Sequence, residues 1–153
     1  MPASDEASAL EAHLGFWLRF LSNHVSARFQ RQLEAQGVSV AEWVALRTLW
    51  ADEETGHARL IQALGMTKGA TSKLVSRLEQ KGLAHRRSDR ADGREQSIVL
   101  SPSGRALVPL LAALADANDE YFFGHLGARQ RQALMETLQG LVRHHRLESL
   151  PTA

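Results

Sequence analysis

Residues 57–101 constrain this chain more than any other stretch. The segment HARLIQALGMTKGATSKLVSRLEQKGL sets Leu60, Ile61 and Leu64 on one helical face and stops at Gly65. It restarts at Thr67 with Ala70, Leu74 and Leu78 at four-residue intervals. Two short helices packed across a turn follow from that pattern. Beyond them, Leu83 to Ser88 and Glu95 to Leu100 are strand candidates, joined by Arg90-Ala91-Asp92-Gly93-Arg94, in which Asp-Gly is a strong turn signal. The expected order is helix, turn, helix, then an arginine-rich hairpin standing beside them as a wing.

Charge is concentrated in the same unit. Between Lys68 and Arg94 lie eight cations (Lys68, Lys73, Arg77, Lys81, Arg86, Arg87, Arg90, Arg94) against three anions (Glu79, Asp89, Asp92), a local +5. The whole chain carries only +1, so the remaining residues sum to −4. A basic patch confined to a two-helix unit with a hairpin points to a polyanionic partner, double-stranded DNA foremost.

Other classes fall away on composition. At 153 residues, 44% hydrophobic and 23% charged, the chain is long enough for one domain with a real core. No apolar run approaches the roughly 20 residues of a membrane span, and the start MPASDEASAL is acidic where a secretory signal is basic and then apolar. A cytoplasmic protein is therefore expected. With no cysteine, disulfides, thiolate metal sites and thiol redox sensing are excluded. Seven histidines remain, none in an H-E-x-x-H spacing, and no metal or cofactor is expected. No Gly-rich phosphate loop, nucleophile elbow or paired-carboxylate motif is present, so there are no candidate catalytic residues and an enzyme is not expected.

The flanks read as long helices. From about residue 6 to 36, Leu10, Leu14, Trp17, Leu21 and Val25 recur at threes and fours, while Phe16, Phe20 and Phe29 occupy another side. A helix apolar on two sides has two partners. Either it is buried centrally in its own domain, or one face meets a second copy of the chain. Gly37 stops this helix, and Ser39-Val40-Ala41-Glu42 has the pattern of a capping box opening another, through Trp43, Leu46 and Leu49 to about Trp50. A polar, Gly-ended loop, Asp52 to Gly56, follows. Ser101-Pro102 reads as an N-cap with proline at the first helical position, opening a helix to about Phe123 that Pro109 is expected to kink. After Gly127 a last helix with Leu134, Leu138, Leu141 and Val142 runs to about Leu147. The fold class is mainly α with a small β-hairpin wing.

That order, with KGATSKLVSRLEQKGL followed by RRSDRADGREQSIVLSPSG, resembles the MarR family of bacterial transcriptional regulators over nearly the whole chain. The specific part is L-E-x-K-G-L (Leu78 to Leu83), then Arg86, then Asp92 and Arg94 in D-x-R, then Ile98 to Ser101 leading into the next helix. The resemblance implies a single MarR-type domain over 1–153. Helices at about 6–36 and 102–147 would dimerise, and a winged helix-turn-helix lobe at about 39–101 would read DNA. It further implies a homodimer on a near-palindromic operator, its two recognition helices roughly 34 Å apart, with repression as the more frequent outcome.

On a helical wheel Ala70, Leu74 and Leu78 point inward, which leaves Gly69, Ser72, Lys73 and Ser76 as groove-facing candidates, with Lys68 and Arg77 beside them. The family commonly carries proline or a bulkier residue where Gly69 stands. Arg94 matches the family arginine that enters the minor groove, with Asp92 orienting it, while Arg87 and Arg90 meet phosphates.

Family members often respond to small aromatic acids held between the dimerisation helices and the DNA lobe. Here His13, Trp17, Phe20, Trp43 and Arg47 are the candidates to line such a crevice, with ordinary core and interface packing as the alternative for each aromatic. Two rival functions share the basic charge: a nonspecific architectural DNA binder and a protein-interaction module.

Overall fold

The computed structural model describes residues 7–52, 55–88 and 96–147. A 3-10 turn, Leu10–Ala12, leads into α1 (Leu14–Ala35), so the first helix begins later than the periodicity suggests. Then come α2 (Val40–Ala51), β1 (Thr55–Gly56), α3 (His57–Leu64), α4 (Lys68–Gln80), β2 (Ala84–Ser88), β3 (Gln96–Leu100), α5 (Pro102–Phe123) and α6 (Ala128–His144). The expected sequence of four helices, hairpin and two helices is present, with one strand added.

That strand is β1, within the stretch read as a polar loop. The sheet order is β1-β3-β2, all antiparallel, with Thr55 opposite Ile98 on one side of β3 and Arg86 opposite Ile98 on the other. Two residues are too few to show an alternating pattern, and their partner lies some 40 positions away. The pairing is therefore invisible to local reading. It ties the start of α3 to the wing.

Local signals account for the helix boundaries. Ser39 and Glu42 form the capping box: the Ser39 hydroxyl accepts from the Glu42 backbone N–H at 3.1 Å, and Glu42 accepts from the Ser39 N–H at 3.0 Å. Ser101 caps α5 by accepting from the Gly104 N–H, and donates its own hydroxyl to the Gly82 carbonyl. α5 runs as one helix through Pro109.

The core sits within the DNA lobe and the helices beside it. Leu33, Leu46, Leu49, Leu60, Leu74, Val75, Leu78, Ile98, Val108 and Leu111 are all buried, joining α1, α2, α3, α4, β3 and α5. Gly104 marks the tightest seam: a Cβ there would fall 2.0 Å from the Leu83 carbonyl oxygen, so only glycine lets α5 approach the α4–β2 turn. α6, by contrast, has no buried residue. Among the described residues, no helix is long and apolar enough to cross a membrane, and no group of three or more His, Asp or Glu stands where it could hold a metal.

Candidate nucleic-acid interface

The turn between α3 and α4 is built by two residues. Gly65 takes the left-handed conformation (φ 62°) and its N–H bonds to the Ile61 carbonyl, a helix ending that an L side chain resists. Two residues on, the Thr67 hydroxyl caps α4 by accepting from the Ala70 N–H at 3.1 Å. Leu60 and Leu64 of α3 and Thr71, Leu74, Val75 and Leu78 of α4 are buried. This corrects the wheel drawn from sequence, since Ala70 is only half-buried and Thr71 and Val75 are inside. α4 packs against α2 and α3 on one flank and β2 on another, so its buried stripe is wider than a single four-residue row.

The outward face of α4 carries Lys68, Gly69, Lys73 and Arg77, all exposed, with Gln80 in line behind them. Ser72 and Ser76 are half-buried, turned toward the wing. Arg86, on β2, covers both. Its Nη1 donates to the Ser76 hydroxyl (3.3 Å) and pairs with the Glu79 carboxylate, while its Nη2 donates to the Ser72 carbonyl (2.9 Å) and hydroxyl (3.1 Å). The Arg86 backbone N–H reaches the other Glu79 oxygen at 3.3 Å.

Lys81 is likewise engaged within the chain, although its side chain stays partly exposed. Its ammonium donates to the Gly37 carbonyl at 2.8 Å and lies 3.0 and 2.8 Å from the two oxygens of buried Glu42. Burial works to raise the Glu42 pKa, but hydrogen bonds from Lys81 and Ser39, with the charge of Lys81, outweigh it and hold the carboxyl below its ordinary value. At the start of α3, burial and then the charges of Arg86 and Lys68 depress the His57 imidazole.

Of the candidates on the hairpin, Arg87 is exposed on β2 opposite Ser97. Arg90, Asp92 and Arg94 lie outside the described residues.

The five aromatic-crevice candidates do not come together. Trp17 and Phe20 line a crevice of about 500 Å³ with Leu21, His24 and Phe122. Trp43 is half-buried and edge-on to Phe29 at 6.3 Å, Arg47 is exposed on α2, and the exposed His13 ring is 3.3 Å from the Leu10 carbonyl. His24 stands one turn from Phe20, their rings 4.9 Å apart, so four-residue spacing was available to find it. Phe122 comes from α5 and no local pattern announces it. Nor does any announce buried Asn118, which accepts from Arg28 at 2.8 Å and donates to the Val25 carbonyl at 3.1 Å, clamping α1 to α5.

A helix-turn-helix whose second helix presents lysines and an arginine beside a β-hairpin defines a winged-helix DNA-binding protein. Comparison with known proteins agrees. A sequence model of the MarR family matches residues 36–95. Among curated relatives, the transcriptional regulator HosA of Escherichia coli O127:H6 is 26% identical over 125 residues, 82% of this chain and 91% of that protein. The HTH-type transcriptional repressor NicR of Pseudomonas putida is 26% identical over 129 residues, 84% of this chain and 82% of that one. Among solved structures, a probable transcriptional regulator from Pseudomonas aeruginosa superposes with a TM-score of 0.75 at 27% identity, covering 87% of this chain and 99% of that one. The chain belongs to the MarR family and is a DNA-binding transcriptional regulator rather than an enzyme.

Proposed function

We propose that this protein is a cytoplasmic repressor that binds a near-palindromic operator as a homodimer and is released by a small aromatic acid. The observation that carries this reading is the exposed cationic face of α4, Lys68, Gly69, Lys73 and Arg77, standing clear of the core beside the wing. Lys68, Lys73 and Arg77 meet phosphates and guanine edges, Gly69 allows close approach of the backbone, and Ser72 and Ser76 lie at the wing side of the same surface. Arg87 and Arg90 neutralise flanking phosphates. Arg94, oriented by Asp92, enters the minor groove.

Residues 39–101 are the DNA lobe, and the flanking segments at about 6–36 and 102–147, which carry α1, α5 and α6, form the dimer. Support for the second half comes from apolar residues that a lone chain leaves in water: Leu14 is 88% exposed, and Leu134, Met135, Leu138, Leu141 and Val142 of α6 are all exposed. Repression has the support of kinship with a named repressor. For the effector, the crevice of Trp17, Phe20, Leu21, His24 and Phe122 offers aromatic walls and one imidazole, with His13, Trp43 and Arg47 as outlying candidates.

Selection of bound sequences from a random DNA pool, then titration of the winner at two salt concentrations, tests the proposal. The expected result is an enriched inverted repeat, bound far more tightly than random duplex. Binding that only fades with salt, without enrichment, would make the protein a nonspecific architectural binder. Arg94→Ala is expected to weaken operator binding strongly and leave the dimer intact; unchanged affinity at physiological salt would remove Arg94 from the interface.

A further inference from the structure

Arg86 is counted in the basic patch, yet its geometry is wrong for a phosphate ligand. A guanidinium has five N–H donors. Both Nη atoms of Arg86 are engaged twice, Nη1 by the Ser76 hydroxyl and the Glu79 carboxylate, Nη2 by the Ser72 carbonyl and hydroxyl. Only Nε–H remains, which rules out the forked grip that distinguishes arginine at phosphates. Glu79 closes the arrangement from the other side by accepting the Arg86 backbone N–H.

Ser72, Ser76 and Glu79 are spaced by four and three, one row along α4. Arg86 lies along that row and belongs to the first strand of the wing. We infer that Arg86 is a positioning residue of the DNA interface: it latches the wing to the recognition helix so that both enter DNA as one rigid body, and it sets the hydroxyls of Ser72 and Ser76 as outward donors. The second part follows from hydroxyl chemistry. A serine oxygen that accepts from a cation has its lone-pair side occupied, and its own hydrogen turns away from the guanidinium. Such a hydroxyl favours acceptors on the DNA: purine N7, guanine O6, thymine O4 or a phosphate oxygen. The latch therefore bears on specificity more than on raw attraction.

The inference rests on the sequence-specific reading above, and its test has an arm that does not need an operator. On random duplex, Arg86→Gln is expected to leave the slope of log affinity against log salt unchanged, whereas Lys73→Gln lowers it by about 0.9, one released counterion. On the selected operator, Arg86→Gln and Arg86→Lys are both expected to lose roughly tenfold or more in affinity, since lysine keeps the charge but not the fork. Glu79→Gln is the sharpest variant. It makes the patch more positive, so simple electrostatics predicts tighter binding, whereas the latch predicts weaker operator binding. The double variant, Arg86→Gln with Glu79→Gln, is expected to be no worse than the poorer single one.

Far-UV circular dichroism and thermal unfolding check that each variant is folded. Should Arg86→Gln fail to fold, Arg86→Lys and Ser72→Ala carry the test, the latter shifting base preference in the selection with the salt slope unchanged. A slope lowered by Arg86→Gln, recovery of full operator affinity by Arg86→Lys, or tighter operator binding by Glu79→Gln would each overturn the latch.

Discussion

The DNA lobe and the terminal helices of this chain solve the burial problem differently. In the lobe, Leu46, Leu60, Leu74, Leu78 and Ile98 are almost wholly inaccessible to water, and every helix finds its partner within the same chain. Along α1 and α6 the apolar residues are just as frequent, yet Leu14, Trp17, Leu18, Leu138 and Leu141 stay exposed. The lobe completes its core with α1 and α5 of its own chain, through Leu33, Val108 and Leu111. The terminal helices, on the proposed reading, are half of a structure that a second copy completes, and that division separates reading DNA from holding two readers at the correct spacing.

The largest effect expected from breaking this contrast is on association. Replacing Leu138 and Leu141 with glutamate would set two carboxylates into the proposed dimer surface, where burial of each leucine contributes about 1.5–3 kcal/mol. Self-association should weaken by at least roughly a hundredfold by analytical ultracentrifugation, while the thermal unfolding of the lobe changes little. An unaltered dimer would place the interface elsewhere.

Next comes the lobe itself. Leu74→Ala empties a fully buried position at the centre of α4 and is expected to cost about 2–5 kcal/mol in chemical unfolding. Its effect on dimer affinity should be small. A large loss of association would show that the two regions are not separable.

Gly104→Ala probes the seam where they join. The added methyl would meet the Leu83 carbonyl, so α5 must shift away from the α4–β2 turn, at a cost of about 1–3 kcal/mol. Neutral stability would mean that the seam yields freely.

The smallest effect concerns pH. Because the Glu42 carboxyl is held below its ordinary value, its contribution is complete above that value and is lost as pH falls through the lowered folded one. Glu42→Gln should therefore flatten the acid limb of the stability–pH curve in that window. An unchanged limb would assign acid sensitivity to other carboxylates.

What the sequence made legible divides along the same line. Gly65, Thr67, the Ser39–Glu42 box and the Ser101-Pro102 start are local signals, each acting within four residues, and each stands where it was read. The pairing of β1 with β3, the Asn118 clamp and the place of Phe122 depend on contacts between distant residues, which periodicity does not encode. Charge misled in one respect. Lys81 and Arg86 count toward the basic patch, but both are engaged by partners within the same chain. Formal charge records that a cation is present, not which groups have claimed its hydrogens.

The most direct measurement of the central claim is the mass of the complex formed with the selected operator duplex, by sedimentation equilibrium across a range of protein concentrations. Two chains of 16.9 kDa on each duplex, with no singly bound species at intermediate occupancy, is the result expected of two lobes, each with its core complete within one chain, joined by their terminal helices. One chain per duplex, bound with full sequence discrimination, would contradict it.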